Sequence, residues 1–239
     1  MAAFQFKQFT IEQQVSAMKV TTDACLFGAF VATETPSLHN KKVLDIGAGT
    51  GLLSLMMAQQ HPTAEITAIE IEASAVGEAR QNFQQSPWRK NLQLVEGDIL
   101  TQEFDSGFDL VITNPPFYEN QLKGPGQLRN IAHHDGGLLL PALVGIIKKL
   151  LKPGGEAWIL LPFYRKNEIQ DLANAHGLLA KRVITVQPFA HKTPTRIMAC
   201  LNFEQVDMAT AEEIFVVYEQ PKAYTAAFIQ LLKPYYLHL

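Results

Sequence analysis

The sequence predicts an α/β domain on a doubly wound, mostly parallel sheet with an antiparallel hairpin at one edge. Three observations predict it. Apolar runs of strand length alternate with helix-length segments from residue 42 to about 176. The first run ends in three glycines spaced two apart, and two late strand-like runs flank the short loop "AHKTPT". Such alternation specifies βαβ crossovers. Glycines where a strand gives way to a helix let a ligand approach the backbone at the switch point of an open sheet.

In order, "KVLDIG" (42–47) is a buried strand and "TGLLSLMMAQQH" (50–61) has helical spacing. "EITAIE" (65–70) reads as the second strand and "SAVGEARQNFQQ" (74–85) as an amphipathic helix. "LQLVEGD" (92–98) and "FDLVITN" (108–114) are strands three and four. Residues 138–151 form a helix closed by Lys-Pro-Gly-Gly, "EAWILLP" (156–162) is strand five, and a helix follows near 166–176. "RVITVQPF" and "RIMACLNFE" make the hairpin, "EIFVVYE" one more strand, and "AYTAAFIQLLKPYYL" a closing helix. The division is an N-terminal extension, 1–40, packed on the ligand edge, and a main domain, 41–239.

Apolar residues make up 47% and charged residues 18%, enough for a sizeable core. "MAAFQFKQFTIEQQ" lacks a basic stretch followed by an apolar run, so no secretory signal is expected. "GGLLLPALVGIIKKLL" (136–151) contains Pro141 and two lysines and is too short to span a bilayer. Cys25 and Cys200 match no metal spacing, and the adjacent His133 and His134 would diverge on a helix, so no metal site is expected. Net charge is −3, but residues 148–196 hold nine Lys/Arg against three acids, a run of +6 on a remainder of −9. An ordinary solvated surface and a phosphate-facing flank both fit that run, and Lys166, Arg182 and Arg196 are the candidate contacts. A cytoplasmic monomer is the plain expectation.

"VLDIGAGTGLL" places Asp45, Gly47, Gly49 and Gly51 at the end of strand one. The Gly-x-Gly-x-Gly spacing differs from the Gly-x-Gly-x-x-Gly of dinucleotide folds, which disfavours a nicotinamide oxidoreductase. A carboxylate beside a helix N-terminus would repel a pyrophosphate and suits a ligand carrying an ammonium group. Glu70 ends strand two and is placed to accept from a ribose diol; Asp98, after Gly97, is placed to accept from an adenine amine. Ile71 and Ile99, next to these acids, either sandwich the adenine or pack the core. Finally, "VITNPPFYEN" runs a strand straight into Asn114-Pro115-Pro116-Phe117. Proline lacks a donor and forces its predecessor out of the helical region, so the turn is stiff.

Asp-x-Gly-x-Gly-x-Gly, then Glu70, Gly97-Asp98 and Asn-Pro-Pro-Phe, resembles the Rossmann-like class I S-adenosylmethionine-dependent methyltransferases across residues 41 to about 165. The resemblance implies S-adenosyl-L-methionine as cofactor, held by Asp45, Gly47, Gly49, Gly51, Glu70, Ile71, Asp98, Ile99 and Asn114. It also implies transfer to a planar nitrogen. The Asn114 side-chain oxygen and the Pro115 carbonyl would accept its N–H bonds, and Phe117 would stack on the base, with Tyr118 beside it. Arg129, in the polar loop 118–136, is the candidate phosphate or base contact.

With "FKQFTIEQQVSAMKVTTDACLFGAF" and "YTAAFIQLLKPYYL" included, the chain resembles nearly full length the tRNA(Val) adenine-N6 methyltransferases, which modify the adenine just 3′ of the anticodon. In that family the Lys19–Asp23 stretch lies near the cofactor. One departure bears on the base: Asn-Pro-Pro-Tyr is commoner in adenine and glutamine enzymes, and Phe117 also occurs in guanine-N2 methyltransferases of ribosomal RNA. The alternatives are therefore guanine-N2 methylation, release-factor glutamine methylation, and a non-catalytic S-adenosylmethionine-binding subunit. The first commonly has a duplicated domain, the second an N-terminal helical domain, and the third no need of Asn-Pro-Pro-Phe.

Overall fold

The computed structural model describes residues 3–35, 38–104, 107–116, 138–203 and 210–239. A two-stranded antiparallel sheet, β1 (Ala3–Gln5) and β2 (Thr10–Glu12), precedes α1 (Thr22–Glu34). The alternating part follows: β3 (Lys42–Ile46), α2 (Leu52–Gln60), β4 (Glu65–Glu70), α3 (Ala73–Gln85), β5 (Leu92–Glu96) and β6 (Phe108–Thr113). It continues through α4 (Leu140–Leu150), β7 (Leu151–Pro162), α5 (Lys166–Ala175), β8 (Leu179–Phe189) and β9 (Arg196–Asn202). β10 (Ala211–Gln220), β11 (Ala223–Tyr224) and α6 (Ala226–Leu232) close the chain.

The main sheet has nine strands in the order β11-β10-β8-β9-β7-β6-β3-β4-β5. Strands β5, β4, β3, β6 and β7 are parallel, and β9 runs antiparallel between β7 and β8. The expected hairpin is present, but β10 pairs in parallel outside β8, and β11 forms the rim. Strand five is longer than its sequence suggested: Leu151 already pairs with Phe108, and the Lys-Pro-Gly-Gly stretch bulges before Glu156 meets Leu110. The closing helix is shorter, because Thr225 caps it by accepting from the Phe228 amide at 3.2 Å.

Val43, Leu44, Asp45 and Ile46 are all buried, as a strand covered on both faces requires. One face is packed by α1, α2 and α6, with Phe27, Leu55, Met56 and Phe228 at its centre. The other is packed by α4 and α5, through Leu143, Ile147 and Ile169. Residues 3–12 join the first of these cores through Phe6, Phe9 and Ile11. They also meet the far end of the chain: the Lys7 amide donates to the Tyr235 carbonyl at 2.8 Å, and Phe6 bridges Tyr236.

Candidate active site

Register brings the carboxyl ends of four strands together. Ile46 pairs with Ile69 on one side and Thr113 on the other, and Glu70 pairs with Glu96. The Thr113 hydroxyl donates to the Ile46 carbonyl at 2.8 Å, which fastens the end of β6 to the end of β3. Asn114 therefore starts beside Gly47, and Pro115 is buried. The predicted Asp45, the three glycines, Glu70, Asp98 and Asn114 all stand along this edge. Phe117, Tyr118 and Arg129 lie outside the described residues, as do His133 and His134.

Gly47, Gly49 and Gly51 have φ of +69°, +55° and +81°, a left-handed region costly for any side chain. The ladder of bonds explains the path: the amides of Gly47 and Ala48 donate to the Ile69 carbonyl at 2.9 and 3.1 Å, and that of Gly51 to the Ala48 carbonyl at 2.8 Å. Among the described residues, a Cβ on Gly47 or Gly49 would meet nothing within 4 Å, whereas one on Gly51 would come within 2.4 Å of the Phe83 ring. Two of the glycines thus face open space, and the third is needed by packing as well.

Asp45 is fully buried. Its Oδ2 accepts from the Ser54 amide at 3.1 Å and the Ser54 hydroxyl at 2.7 Å. Ser54 lies in the first turn of α2, so the carboxylate satisfies an N–H that Gly51, with no side chain, leaves open. Its Oδ1 has no hydrogen-bond partner among the described residues. Burial pushes the Asp45 carboxyl up to about 7, against the pull of the Ser54 bonds.

Glu70 holds two turns at once. Its Oε2 accepts from the Gly49 amide at 2.8 Å, and its Oε1 from the amides of Ile71 and Glu72, both at 2.9 Å. Oε2 therefore retains acceptor capacity. The Asp98 Oδ1 accepts from the Leu100 amide at 2.9 Å. Ile71 is exposed, but Ile99 is buried in the core with Ile69 and Val111, and its exposed neighbour is Leu100. The turn after β5 thus turns Leu100 outward.

Two residues escaped the sequence reading. The Glu78 carboxylate accepts from the amides of Val15 and Ser16 at 2.7 and 3.0 Å. Asn82 accepts from the Glu12 amide at 2.8 Å and donates to the Thr50 carbonyl at 2.9 Å, inside the glycine-rich loop. Lys19 completes this strap by donating to the carbonyls of Gln13, Gln14 and Ser16. The signal was spacing: Glu78 and Asn82 stand four apart on α3, hence on one helix face.

The basic run is not a bare flank. Lys166 pairs with Glu212 at 2.7 Å, Arg196 with Asp23 at 3.2 Å, and Arg182 with Glu34 and Glu213 at 3.0 and 2.9 Å. The Arg182 guanidinium also lies 5.8 Å from the ring centres of both Phe30 and Trp158. The topology supplies these acids from elements far off in sequence. A cavity of about 430 Å³ lies at the opposite, amino-terminal end of the strands, lined by Lys42, Glu65, Lys90 and Phe104 among others. It touches none of the residues above.

The methyltransferase small domain model matches residues 26–178. A protein of Vibrio vulnificus (strain YJ016) named tRNA1(Val) (adenine(37)-N6)-methyltransferase is 36% identical over 236 residues, covering 99% of this chain and 96% of its own. One of the same name from Dyadobacter fermentans is 38% identical over 242 residues, covering 99% and 98%. The chain belongs to this methyltransferase family. Solved structures agree with the methyltransferase on fold. A predicted O-methyltransferase of Agrobacterium tumefaciens superposes with TM-score 0.64 at 16% identity, over 89% of this chain and 96% of that one. The glycopeptide N-methyltransferase MtfA, complexed with S-adenosylmethionine, gives 0.57 at 16%, over 80% and 91%.

The donor set of the methyltransferase fits S-adenosylmethionine on its own terms. A buried carboxylate oxygen with no partner among the described residues suits an ammonium, and glycines that no described residue crowds admit a ligand against the backbone. Among the described residues no group of three or more His, Cys, Asp or Glu could hold a metal ion, and no helix is long and apolar enough to cross a membrane.

Proposed function

We propose that this methyltransferase transfers a methyl group from S-adenosylmethionine to the N6 amine of adenine 37 in tRNA1(Val), the activity its full-length relatives are named for. The observation that carries the reading is the placement of Asn114 and buried Pro115 one step beyond the Ile46–Thr113 pair, beside the glycine-rich loop. When bound, the cofactor supplies an electrophilic methyl. The chain's part is to orient the amine. The Asn114 oxygen and the Pro115 carbonyl accept its two N–H bonds, drawing a delocalised nitrogen toward tetrahedral geometry. Catalysis is positioning plus stabilisation of charge developing on nitrogen, and no strong base is needed.

Asp45, Glu70 and Asp98 hold the amino-acid, ribose and adenine parts of the donor, with Ile71 and Leu100 as apolar walls in place of the buried Ile99. Phe117 stacks on the target base, and Tyr118 and Arg129 extend that contact. Residues 1–40 flank the cofactor site through the Glu78 and Asn82 bonds. The protein acts as a cytoplasmic monomer: its substrate is cytoplasmic, and the outer strand β5 is short and exposes Gln93 and Glu96, which discourages edge pairing.

The test is incubation with S-adenosylmethionine and unmodified total tRNA, then mass spectrometry of the digested nucleosides. N6-methyladenosine in tRNA1(Val) is the expected product. N2-methylguanosine, or label only in protein, overturns the reading.

A further inference from the structure

Nine large apolar side chains are exposed among the described residues, and six of them, Val15, Met18, Ile71, Leu100, Leu139 and Tyr164, lie on loops at the carboxyl edge of the sheet. Single exposed apolar residues are ordinary; a concentration along one edge marks a binding surface. Ile71 and Leu100 follow β4 and β5, beside Glu70 and Asp98. Leu139 and Tyr164 flank the other end, where Asn114 stands.

Tyr164 is the largest of the six and 66% exposed. It sits in a 3₁₀ turn, Phe163–Arg165, between β7 and α5. That turn is anchored on both sides. The Phe163 amide donates to the Thr195 carbonyl at 3.1 Å, and the Phe163 side chain packs on the core beneath. β7 is the direct neighbour of β6, with Ile159 opposite Thr113, so the Tyr164 turn leaves the strand beside the Asn114 turn, about three residues further along. The Arg165 guanidinium carbon is 6.0 Å from the Tyr164 ring centre. A rigid mount therefore presents an aromatic ring to solvent next to the reacting edge.

The cations nearby argue in the same direction. Lys166 and Arg196, which frame the turn, are engaged with Glu212 and Asp23. With those charges committed inside the chain, a stacking face is the stronger recognition element on this side of the site.

We propose that Tyr164 is a stacking platform for a nucleotide flanking the target adenine, so that the enzyme selects a splayed, single-stranded loop. This rests on the tRNA reading above. An unstacked loop base offers a π face whatever its identity, and RNA loops are recognised through such bases. The flanking base on Tyr164 and the target base at Asn114 would then be held apart by two adjacent strand ends, which a stacked helix cannot satisfy.

The experiment uses the full chain, S-adenosylmethionine, and anticodon stem-loop RNAs carrying 2-aminopurine on either side of the target. Tyr164→Ala is expected to lower kcat/KM by about ten- to a hundredfold, the range of alanine substitutions at base-stacking aromatics. It should leave S-adenosylhomocysteine affinity within twofold and abolish the quenching of one flanking 2-aminopurine. Tyr164→Phe should keep both the rate and the quenching. Parental kcat/KM in Tyr164→Ala, or unchanged quenching, overturns the inference while the tRNA reading stands. A parent protein that forms no N6-methyladenosine in tRNA overturns the reading and this inference with it.

Discussion

At the scale of single residues, the proposed mechanism assigns binding to Asp45 and turnover to Asn114. Asp45 has its carboxyl pushed up to about 7 by burial, so near neutral pH part of the population carries a proton there. A cationic ligand group binds the ionised form better, so donor affinity should rise with pH through that value. The sign is fixed: protons and the ammonium compete for the same oxygens. Titration calorimetry with S-adenosylhomocysteine should show about tenfold weaker binding at pH 6 than at pH 8, because the ionised fraction changes by that much across a pKa near 7. In Asp45→Asn the profile should be flat, and a flat profile in the parent would remove Asp45 from the ligand. Asn114→Ala should instead slow single-turnover methyl transfer by about 10²–10³, as loss of one preorganised polar group does in oxyanion holes. Cofactor affinity should stay within a few-fold, since an interaction that tightens with tetrahedral geometry acts on the transition state. A parental rate in that variant would reduce Asn-Pro-Pro-Phe to a turn.

At the scale of elements, the strap from Gln13 to Val20 is tied to α3 chiefly by one carboxylate. Burial alone would raise the Glu78 pKa, but the amides of Val15 and Ser16 outweigh it and hold it below the ordinary range. A carboxylate depressed by folding stabilises above its unfolded pKa and loses that contribution as pH falls through the folded value. Glu78→Ala should cost about 1.5–3 kcal/mol, the usual worth of hydrogen bonds to a charged group. Limited proteolysis should then cut within 13–20 in the variant and spare the parent; equal cutting would mean that the strap is held elsewhere. This element also shows where the sequence is legible and where it is not. The strands at 42–46, 65–70 and 108–113 announced themselves because a doubly buried strand is a continuous apolar run between turn residues. β1 and β2 did not, since each has three residues and owes its place to long-range contacts with α3 and the chain's far end. The placement of Asp45, Glu70 and Asp98 at strand ends was readable from the sequence. Their packing was not: Asp45 meets Ser54 nine residues on, and only the path of the loop makes them partners. Ile99 and Leu100 are neighbours, and sequence does not say which of them a turn buries. Lys166, Arg182 and Arg196 looked free because their acids come from α1 and β10.

At the scale of the whole molecule, Arg182 is the cross-brace. It joins β8 to α1 through Glu34 and to β10 through Glu213, and the two carboxylates raise its pKa despite the cost of burial. Arg182→Met, which keeps the apolar stem and loses both ion pairs, should lower Tm by several degrees while leaving tRNA affinity unchanged. Both carboxylates are exposed to solvent, so each of the two pairs is worth at most about 1 kcal/mol, and each kcal/mol lost shifts a domain of this size by about 2–4 °C. A large loss of tRNA affinity at parental Tm would restore Arg182 as an RNA contact.

The bond between Lys7 and Tyr235 also fixes an order of events in biosynthesis. Phe4 and Phe6 leave the ribosome early, but the Tyr236 ring that packs on both does not yet exist. At about 5–20 residues per second, the wait lasts roughly ten to fifty seconds. During that interval the growing polypeptide carries an unsatisfied aromatic stretch, a binding site for a holdase or a nucleus for aggregation. Arrested nascent chains ending before residue 226 should stay cleavable by chymotrypsin at Phe4 and Phe6, and those extended past 236 with a linker should become resistant. Protection already present in the shorter chains would show that the N-terminal hairpin docks without its late-arriving partner.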